Sequence, residues 1–562
     1  MGKASRKKKI SREVDTSESK HMQDSQHAES KSAETIGSQS QLLDIKTICG
    51  WAIIILVYVM IRINLIDIPL DRDEGAFGYI GQVIANNGIP YKDALDHKPP
   101  VIFYLYSLAL LFVQPTSWGI HLFLHIYNFI TLLALYLLTK TYFRSQAAGL
   151  WSAFVYAIFS ASPLIQGFTA STEMFMLLPI TLSVLFAVLA ARRKDAVYAL
   201  LSGLSGALAC WTKQVAVFSV AFALIYLAAQ QLPMVRRRMS AERGVNGKLI
   251  IWWFVSAIGT SLLIIGYFFF KGVVNEFFYW SFTHNAYYAT RITIGQKVSM
   301  FFGWLKNFMR EDFIIIGIGL LYGMFIAAKK DVRGYFTLGF LLSSFLGTIP
   351  GFAYRHYFAQ LAPAVAIAAG FAISEIMRLV PSKGKVAAML LCGTLVIGVP
   401  IVLNRGFYLE SSPEKISRNI FGLNPFPESA KIASYISEHT TPNDHIFIYG
   451  SEPQILFYAQ RHSATPFVMI YPLTFAHPRY QEMQQLAWKD ITITRPKFIL
   501  FVQVPTSILW DRKADLLFAR KLRELVDKEY HLDTKETIGG TYTMLLYQKV
   551  NPHSLPKDIS GG

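Results

Sequence analysis

Apolar residues in this chain are gathered into long runs, and this feature limits its fold more than any other. The runs are about twenty residues long, the length that an α-helix needs to cross the hydrocarbon core of a bilayer. Of the 562 residues, 52% are hydrophobic and 16% are charged, whereas roughly a quarter of the residues in a soluble domain are charged. The sequence therefore predicts a polytopic α-helical membrane protein.

The positions of lysine and arginine orient the apolar runs. Basic clusters recur in every second loop and therefore all fall on the same side of the membrane. Such clusters mark the cytoplasmic side. The N-terminus is then expected in the cytoplasm and the loop after Asp67 outside it. Residues 99–112 are short for a span and are expected to lie at the interface or to re-enter. About eleven spans are predicted, at 49–67, 118–138, 147–165, 173–192, 196–210, 215–229, 249–270, 313–328, 335–349, a tenth that returns by Ile376, and 386–403.

The regions that flank the spans differ from them in composition. Residues 1–45 are basic and polar and are predicted to be a disordered cytoplasmic tail. The net charge of +17 does not indicate nucleic acid, because "RKKK" at Arg6–Lys9 precedes a span and suits anionic lipid. Residues 46–403 form the predicted membrane domain, with its first external loop at 69–100. Strands alternating with helices predict an extracytoplasmic α/β domain over 404–562. Its expected strands are "HIFIYG", "PFVMI", "KFILFVQV" and "YTMLLYQKV", and a helix is expected from Asp511 to Lys528.

Charged side chains collect at one predicted boundary of the membrane, although they are far apart in sequence. Ionisable groups near a bilayer are costly unless they are paired or functional. This collection of carboxylates and cations suits a lipid-linked phosphate that carries a group for transfer. The residues concerned are Asp71, Arg72, Asp73, Glu74, Asp96, His97, Lys98, Glu173, Lys213, Arg355, His356 and Tyr357.

The chemistry of sugar transfer from phosphate assigns roles to these residues. The phosphate gains negative charge as its bond to the sugar breaks, and fixed cations stabilise that charge. Lys98, Lys213 and Arg355 are the candidates for the phosphate contact. A carboxylate can take the proton of the attacking hydroxyl, and we expect Asp73 to be this base, with Glu173 orienting the acceptor or the sugar. Further substrate contacts are expected from Arg72, His97, His356 and Tyr357.

Structural roles compete with these assignments. Asp71 and Asp73 could cap a helix that starts near Gly75, where negative charge suits the helix dipole. Pro99 and Pro100 could simply begin a helix. His97 and His356 leave a shared divalent metal open, but two separated histidines do not define a metal site, and the sequence requires no cofactor.

The first loop resembles that of a known enzyme group. The stretch "DRDEGAFGYIGQVIANNGIPYKDALDHKPPVIFYLY" is similar to the first external loop of bacterial polytopic glycosyltransferases. These belong to the protein O-mannosyltransferase and lipid A aminoarabinose transferase superfamily, which has the glycosyltransferase C fold. "TASTEMFMLLPITLSVL", "WTKQVAVF" and "YRHYFAQLAPAVAIAAG" resemble later stretches of the same group, in the same order.

The resemblance implies a function as well as a fold. It implies that Asp73 is the catalytic acid residue, with Asp71 and Glu74 as alternatives. It further implies that Lys98 and Lys213 contact the phosphate of a polyprenyl-phosphate monosaccharide, and that the sugar moves with inversion. His97 departs from the group, since aminoarabinose transferases carry an acidic residue there. The expected partners are the lipid-linked sugar, an extracytoplasmic acceptor (lipid, glycan or protein) and the bilayer. A transporter of lipid-linked sugars and a non-catalytic envelope assembly protein are the alternatives.

Overall fold

The structure is a computed structural model that describes residues 45–232, 247–290, 292–350 and 354–550. Most of the predicted tail and the basic cluster Arg236–Arg238 therefore lie outside the described residues. The chain divides into two compact units. The described part of the first, residues 1–56, is the beginning of helix Ile45–Arg62, and the second, residues 57–562, contains all the elements described below.

Helices occupy the positions of the predicted spans. Six helical segments are long and apolar enough to cross a membrane, or seven if the bent pair Ile294–Glu311 and Phe313–Ala328 counts as one span. The chain is therefore a multi-pass membrane protein. The apolar helices are Ile45–Arg62, Ser117–Phe143, Gln146–Phe159, Thr172–Arg193, Ala196–Thr212, Val217–Ala229, Lys248–Phe270, Phe313–Ala328, Val332–Leu346, Ala362–Leu379 and Lys385–Leu403.

The apolar helices differ in how deeply they are buried. In Thr172–Arg193 and Arg355–Leu379, 72% and 94% of the apolar window is buried, compared with 11% in Lys248–Phe270. Small residues permit close packing of the buried helices. A Cβ atom on Gly370 would lie 2.3 Å from the backbone nitrogen of Ser152 in helix Gln146–Phe159. The two most buried helical segments are also the ones that begin at predicted site residues.

The first loop is fixed against the C-terminal region. It contains helix Arg72–Ala85. Helix Val101–Ala109 follows the loop, in the stretch that was predicted to lie at the interface or to re-enter. A Cβ atom on Gly75 would lie 2.3 Å from the backbone nitrogen of Gln454, so only glycine allows this approach. Gln82 Nε2 also donates to the carbonyl of Phe457 at 3.0 Å. The loop that carries most of the predicted charges is therefore held by residues almost four hundred positions away.

Among the described residues, the C-terminal region contains one mixed sheet of five strands. They are β1 His445–Tyr449, β2 His462–Ser463, β3 Phe498–Val502, β4 Tyr530–Ile538 and β5 Tyr542–Lys549. Their order in the sheet is β2-β1-β3-β5-β4. Strand β1 pairs in parallel with β2 and β3, and β5 pairs antiparallel with β3 and β4. The larger helices of the region are Pro413–Phe421, Phe426–Glu438, Gln454–Ala459, Tyr480–Thr494 and Leu517–Glu529.

Three details of this region differ from the prediction. The apolar stretch "PFVMI" is not a strand of the sheet, because Phe467 forms a bridge with Leu95 of the first loop instead. The helix expected from Asp511 begins at Leu517, whose backbone N–H is bonded by the Asp515 side chain. Strand β4 was missed because it is an edge strand rich in exposed polar residues, a composition that protects sheet edges and resembles a loop.

Candidate functional site

Two of the three carboxylates in "DRDE" build the start of helix Arg72–Ala85. Asp71 is the N-cap, and its side chain accepts a hydrogen bond from the Glu74 backbone N–H at 2.9 Å. Glu74 returns the contact by accepting from the Asp71 backbone N–H at 2.9 Å. This is a capping box, which satisfies two backbone donors at once. Asp73 takes no part in it, and its side chain is 41% exposed in a cavity.

Glu74, which was predicted as a catalytic residue, does not line this cavity. Its side chain is buried and accepts hydrogen bonds from the Ala170 backbone N–H at 2.6 Å and from His121 Nε2 at 2.9 Å. All of these contacts are internal. Glu74 thus joins the start of helix Arg72–Ala85 to the loop before Thr172 and to helix Ser117–Phe143.

Lys98 lies directly beside Asp73. Its Nζ is 3.3 Å from Asp73 Oδ2, and its backbone is held at both ends. The Asp96 side chain accepts from the Lys98 backbone N–H at 2.8 Å, and the Tyr91 hydroxyl donates to the Lys98 carbonyl at 2.7 Å. The prolines after Lys98 precede helix Val101–Ala109. The ammonium group is thus placed by the backbone and not only by its partner.

The charges of this pair shift each other's protonation. Burial raises the pKa of the Asp73 carboxyl, but the positive charge of Lys98, with smaller contributions from two histidines, outweighs burial and lowers this pKa to about 2. Burial lowers the pKa of Lys98, but Asp73 and Asp96 outweigh it and raise it. The pKa of His97 falls well below its ordinary value because of burial and the charge of Lys98. His97 is therefore neutral, and its Nε2 accepts from Lys98 Nζ at 3.2 Å.

A second charged group centres on Glu173. This residue is in the first turn of helix Thr172–Arg193, is 2% exposed, and does not line the cavity. It forms an ion pair with Lys213 and lies 3.4 Å from His356 Nε2. Gln166 Oε1 holds the other ring nitrogen of His356 at 2.9 Å. Glu173 thus lies behind Lys213 and His356 and positions them, while these two residues line the cavity.

Lys213 reaches this position because the chain breaks between two helices. The residue is extended between Ala196–Thr212 and the short helix that follows it. Its Nζ lies 4.1 Å from the centroid of the Tyr357 ring, which is within the range of a cation–π contact. Tyr357 also lines the cavity. Lys213 of "WTKQ" and Tyr357 of "YRHY" are therefore neighbours on one wall of the cavity.

Two arginines connect this charged wall to the C-terminal region. Arg72 donates from Nε to the Ser451 carbonyl and forms an ion pair of 2.5 Å with Glu452. Arg355 donates from Nη2 to the Ile420 carbonyl at 2.8 Å. Arg72, Lys98 and Lys213 each have a carboxylate within 4 Å. Among the described residues, no carboxylate lies that close to Arg355.

The cavity that these groups share has a volume of about 750 Å³. Of the predicted site residues, the following line it: Asp71, Arg72, Asp73, His97, Lys98, Lys213, Arg355, His356 and Tyr357. The structure adds lining residues that the sequence did not reveal: Gln166, Trp304, Asn424, Phe426, Tyr471 and Thr506. Gln166 carried a signal, since it is a polar residue at the same membrane boundary, whereas the others are ordinary loop or helix residues.

The histidines do not assemble a metal site. In the part of the chain that the structure describes, no group of three or more His, Cys, Asp or Glu side chains is placed to hold a metal ion. His97 contacts Lys98 and lies 3.8 Å from Asp96, whereas His356 contacts Gln166 and Glu173.

Known proteins share both the sequence signature and the fold. Residues 97–255 match the model of the family described as "Dolichyl-phosphate-mannose-protein mannosyltransferase". No match is found among curated proteins. The crystal structure of ArnT from Cupriavidus metallidurans bound to undecaprenyl phosphate superposes with a TM-score of 0.59 at 13% identity, covering 92% of this chain and 100% of that chain. The apo structure of the same protein gives 0.55 at 11% identity, covering 89% and 97%.

The family match contains the segment from His97 to Lys213, and the structural match extends over the C-terminal region as well. Together they confirm the resemblance seen in the first loop: residues 97–255 match a protein mannosyltransferase family model, and the chain has the fold of ArnT, as expected for the protein O-mannosyltransferase and lipid A aminoarabinose transferase superfamily.

Proposed function

We propose that this protein is a membrane glycosyltransferase that moves a monosaccharide from a polyprenyl-phosphate carrier to an extracytoplasmic acceptor hydroxyl, with inversion. The observation that carries the proposal is the Asp73–Lys98 pair, which lies in one cavity with Lys213 and Arg355. It supplies a base and a phosphate-binding cation side by side. The structure of ArnT with undecaprenyl phosphate supports a lipid carrier of this class.

The reaction needs one carboxylate and several cations. The oxygen of the acceptor hydroxyl attacks C1 of the sugar, the bond from C1 to the phosphate oxygen breaks, and the phosphate leaves with the electron pair. Asp73 takes the hydroxyl proton. A phosphate monoester leaves as an anion and needs no general acid, so a single displacement with one free carboxylate is sufficient. Such a displacement inverts the configuration at C1.

Donor binding would also activate the base. In the free protein, Lys98 holds the pKa of Asp73 at about 2, which makes the carboxylate a weak base. A donor phosphate that takes over the Lys98 ammonium withdraws part of this stabilisation and adds negative charge nearby. Both effects raise the pKa of Asp73. The carboxylate then accepts a proton more readily only when a leaving group is in place.

Lys213, Arg355 and Tyr357 complete the phosphate site. Arg355 has a guanidinium without a carboxylate partner among the described residues, and guanidinium binds phosphate in a bidentate manner. Lys213 is held by Glu173 with its ammonium above the Tyr357 ring. Arg72, His97 and His356 then surround the sugar.

The membrane arrangement follows from the same proposal. The basic loops place the N-terminus in the cytoplasm, and eleven spans in residues 46–403 place the end of the membrane domain on the opposite side. The loop 69–100 and the domain 404–562 then lie on the outer face of the cell membrane, where carriers of this class present their sugar. The helix bounds and the alternation of basic loops support this arrangement.

Mass spectrometry of envelope lipids, glycans and glycoproteins, from cells with and without the protein, tests the proposal. We expect one class of acceptor to lose a single monosaccharide when the protein is absent. The purified protein should also release free polyprenyl phosphate from a polyprenyl-phosphate sugar when that acceptor is present. Movement of the intact carrier across a vesicle membrane without release would indicate a transporter instead.

A further inference from the structure

The two walls of the cavity differ in chemistry. One wall, from the membrane helices and the first loop, carries the lysines, the arginines, the histidines and the carboxylates of Asp71 and Asp73. The other wall, from the C-terminal region, is called the neutral wall here. Its lining residues in the described chain are all uncharged: Ile420, Phe421, Asn424, Phe426, Met469, Tyr471, Thr506 and Leu509.

The polar groups of the neutral wall are fixed by one another and by Arg72, which donates from Nη2 to Asn424 Oδ1 at 3.3 Å. The Thr506 hydroxyl donates to Asn424 Oδ1 at 2.7 Å, and Asn424 Nδ2 donates to the Phe421 carbonyl at 2.7 Å. The Tyr471 hydroxyl donates to the Thr506 carbonyl at 2.9 Å. This arrangement holds an amide and a hydroxyl in place beside aromatic rings, without adding charge.

Arg72 joins the neutral wall to the base. Its guanidinium lies 5.6 Å from the ring centroid of Phe426 and 5.9 Å from that of Tyr471. Its charge is matched by buried Glu452. Because Arg72 precedes Asp73 in the same helix, a molecule lying on this wall has its polar groups next to the carboxylate that takes the proton.

On this basis, and resting on the proposed function, we propose that the acceptor is a neutral glycan that binds against the wall formed by Asn424, Phe426, Tyr471 and Thr506. Sugar rings offer an apolar face to aromatic side chains and hydroxyls to amide and hydroxyl groups, which matches the usual design of a small-molecule site. One hydroxyl of this glycan is the nucleophile, and its proton passes to Asp73.

The same observations disfavour two other acceptors. A phosphorylated lipid headgroup needs cations on its own side of the cavity, and the neutral wall has none among its described lining residues. One recurring way to bind an extended peptide is to add it as a strand to an exposed sheet edge. The edge strands β2 and β4 contribute no residue to the described lining of the cavity.

Binding measurements on the full-length protein in lipid nanodiscs test the proposal. Saturation-transfer NMR would use neutral tetrasaccharides of mannose, arabinose and N-acetylglucosamine, a bis-phosphorylated glucosamine disaccharide and a serine/threonine-rich decapeptide. We expect at least one neutral tetrasaccharide to bind more tightly than the other two probe classes. Tyr471→Leu should weaken that binding about tenfold or more, while Tyr471→Phe, which keeps the ring, should stay within threefold.

Undecaprenyl phosphate binding separates failure of this proposal from failure of the proposed function. Both Tyr471 variants should bind this lipid as the unaltered protein does, which also shows that they are folded. The acceptor proposal is overturned if every neutral tetrasaccharide fails to bind, if a phosphorylated or peptide probe binds better, or if Tyr471→Leu has no effect. Lack of undecaprenyl phosphate binding by the unaltered protein would instead contradict the proposed function.

Discussion

Replacement of Asp73 by asparagine separates catalysis from folding, because the structure gives this carboxylate no part in the helix cap. Asp71 and Glu74 form the capping box, so Asp73→Asn leaves the start of the helix unchanged. What is lost is an ion pair of 3.3 Å in which Asp73 is 41% exposed. Such exposed pairs contribute roughly 0–1 kcal/mol, so the melting temperature should change by only a few degrees.

The effect on transfer should be far larger. A positioned general base typically contributes about 10²- to 10⁴-fold in rate, which corresponds to roughly 3–5 kcal/mol in the activation barrier. Asparagine keeps the shape of the side chain but cannot take the proton. Lys98 also loses its carboxylate partner and is freer to bind phosphate, so the affinity for the donor should stay the same or increase.

The assay is transfer from a radiolabelled polyprenyl-phosphate sugar by purified protein in nanodiscs, with donor binding measured separately. The matched control is Asp71→Asn, because asparagine is as good an N-cap as aspartate and the substitution removes the other carboxyl group of the same loop that lines the cavity. We expect the control to retain transfer within about threefold. Transfer by Asp73→Asn above a tenth of the unaltered rate would refute the assignment. Loss in Asp71→Asn alone would move the role of base to Asp71.

Three further predictions concern the groups around this pair. Arg355→Met should raise the KM for the donor about tenfold or more and leave the melting temperature of the protein within a few degrees of the unaltered value. An unchanged KM would exclude a phosphate contact by Arg355. Glu173→Gln leaves the buried Lys213 ammonium without its carboxylate, which should lower the free energy of unfolding by about 3–5 kcal/mol. Adding Lys213→Met should restore the thermal stability but not transfer. A double variant as unstable as the single one would contradict this pairing. Burial raises the pKa of Asp96 to about 6, so the folded state holds this proton more tightly than the unfolded state. The protonated carboxyl therefore adds to the free energy of unfolding below about pH 4, and this contribution is lost as the pH rises through 6. Thermal unfolding followed from pH 4 to 7 should show a smaller decline for Asp96→Asn, and parallel curves would count against the shift.

The membrane helices could be located from the sequence because their signal is local. A run of apolar residues that ends in basic residues specifies a span by itself, and helices occupy the positions of the predicted spans. The mixed sheet was harder. Strand β1 reads as a buried apolar run, but β4 shows exposed polar residues along an edge, and "PFVMI" pairs with the first loop rather than with the sheet. Pairing across distant segments leaves no local pattern.

The site shows the same division. Asp73, Lys98 and Lys213 were found because charges at a membrane boundary are rare enough to need an explanation. The separate roles within "DRDE" could not be assigned, since spacing alone suits capping and catalysis equally. Backbone geometry distinguishes them: Asp71 has an extended conformation at the N-cap, and Glu74 turns into the protein. The neutral wall could not be predicted because Asn424 lies in a loop and Tyr471 and Thr506 lie in two short helices, with no sequence pattern that brings them together.

Two arginines explain how one cavity can combine a fixed chemistry with a variable acceptor. Arg72 and Arg355 hold the C-terminal region through backbone carbonyls, of Ser451 and Ile420 respectively. Carbonyl contacts do not depend on the side chains of the residues that provide them. The side chains of the neutral wall can therefore change without loss of these two carbonyl contacts, whereas the contacts of Arg72 with Asn424 Oδ1 and with the rings of Phe426 and Tyr471 depend on those side chains. Under the proposed function, the charged wall would preserve the reaction at the donor phosphate, while the neutral wall would select the molecule that receives the sugar.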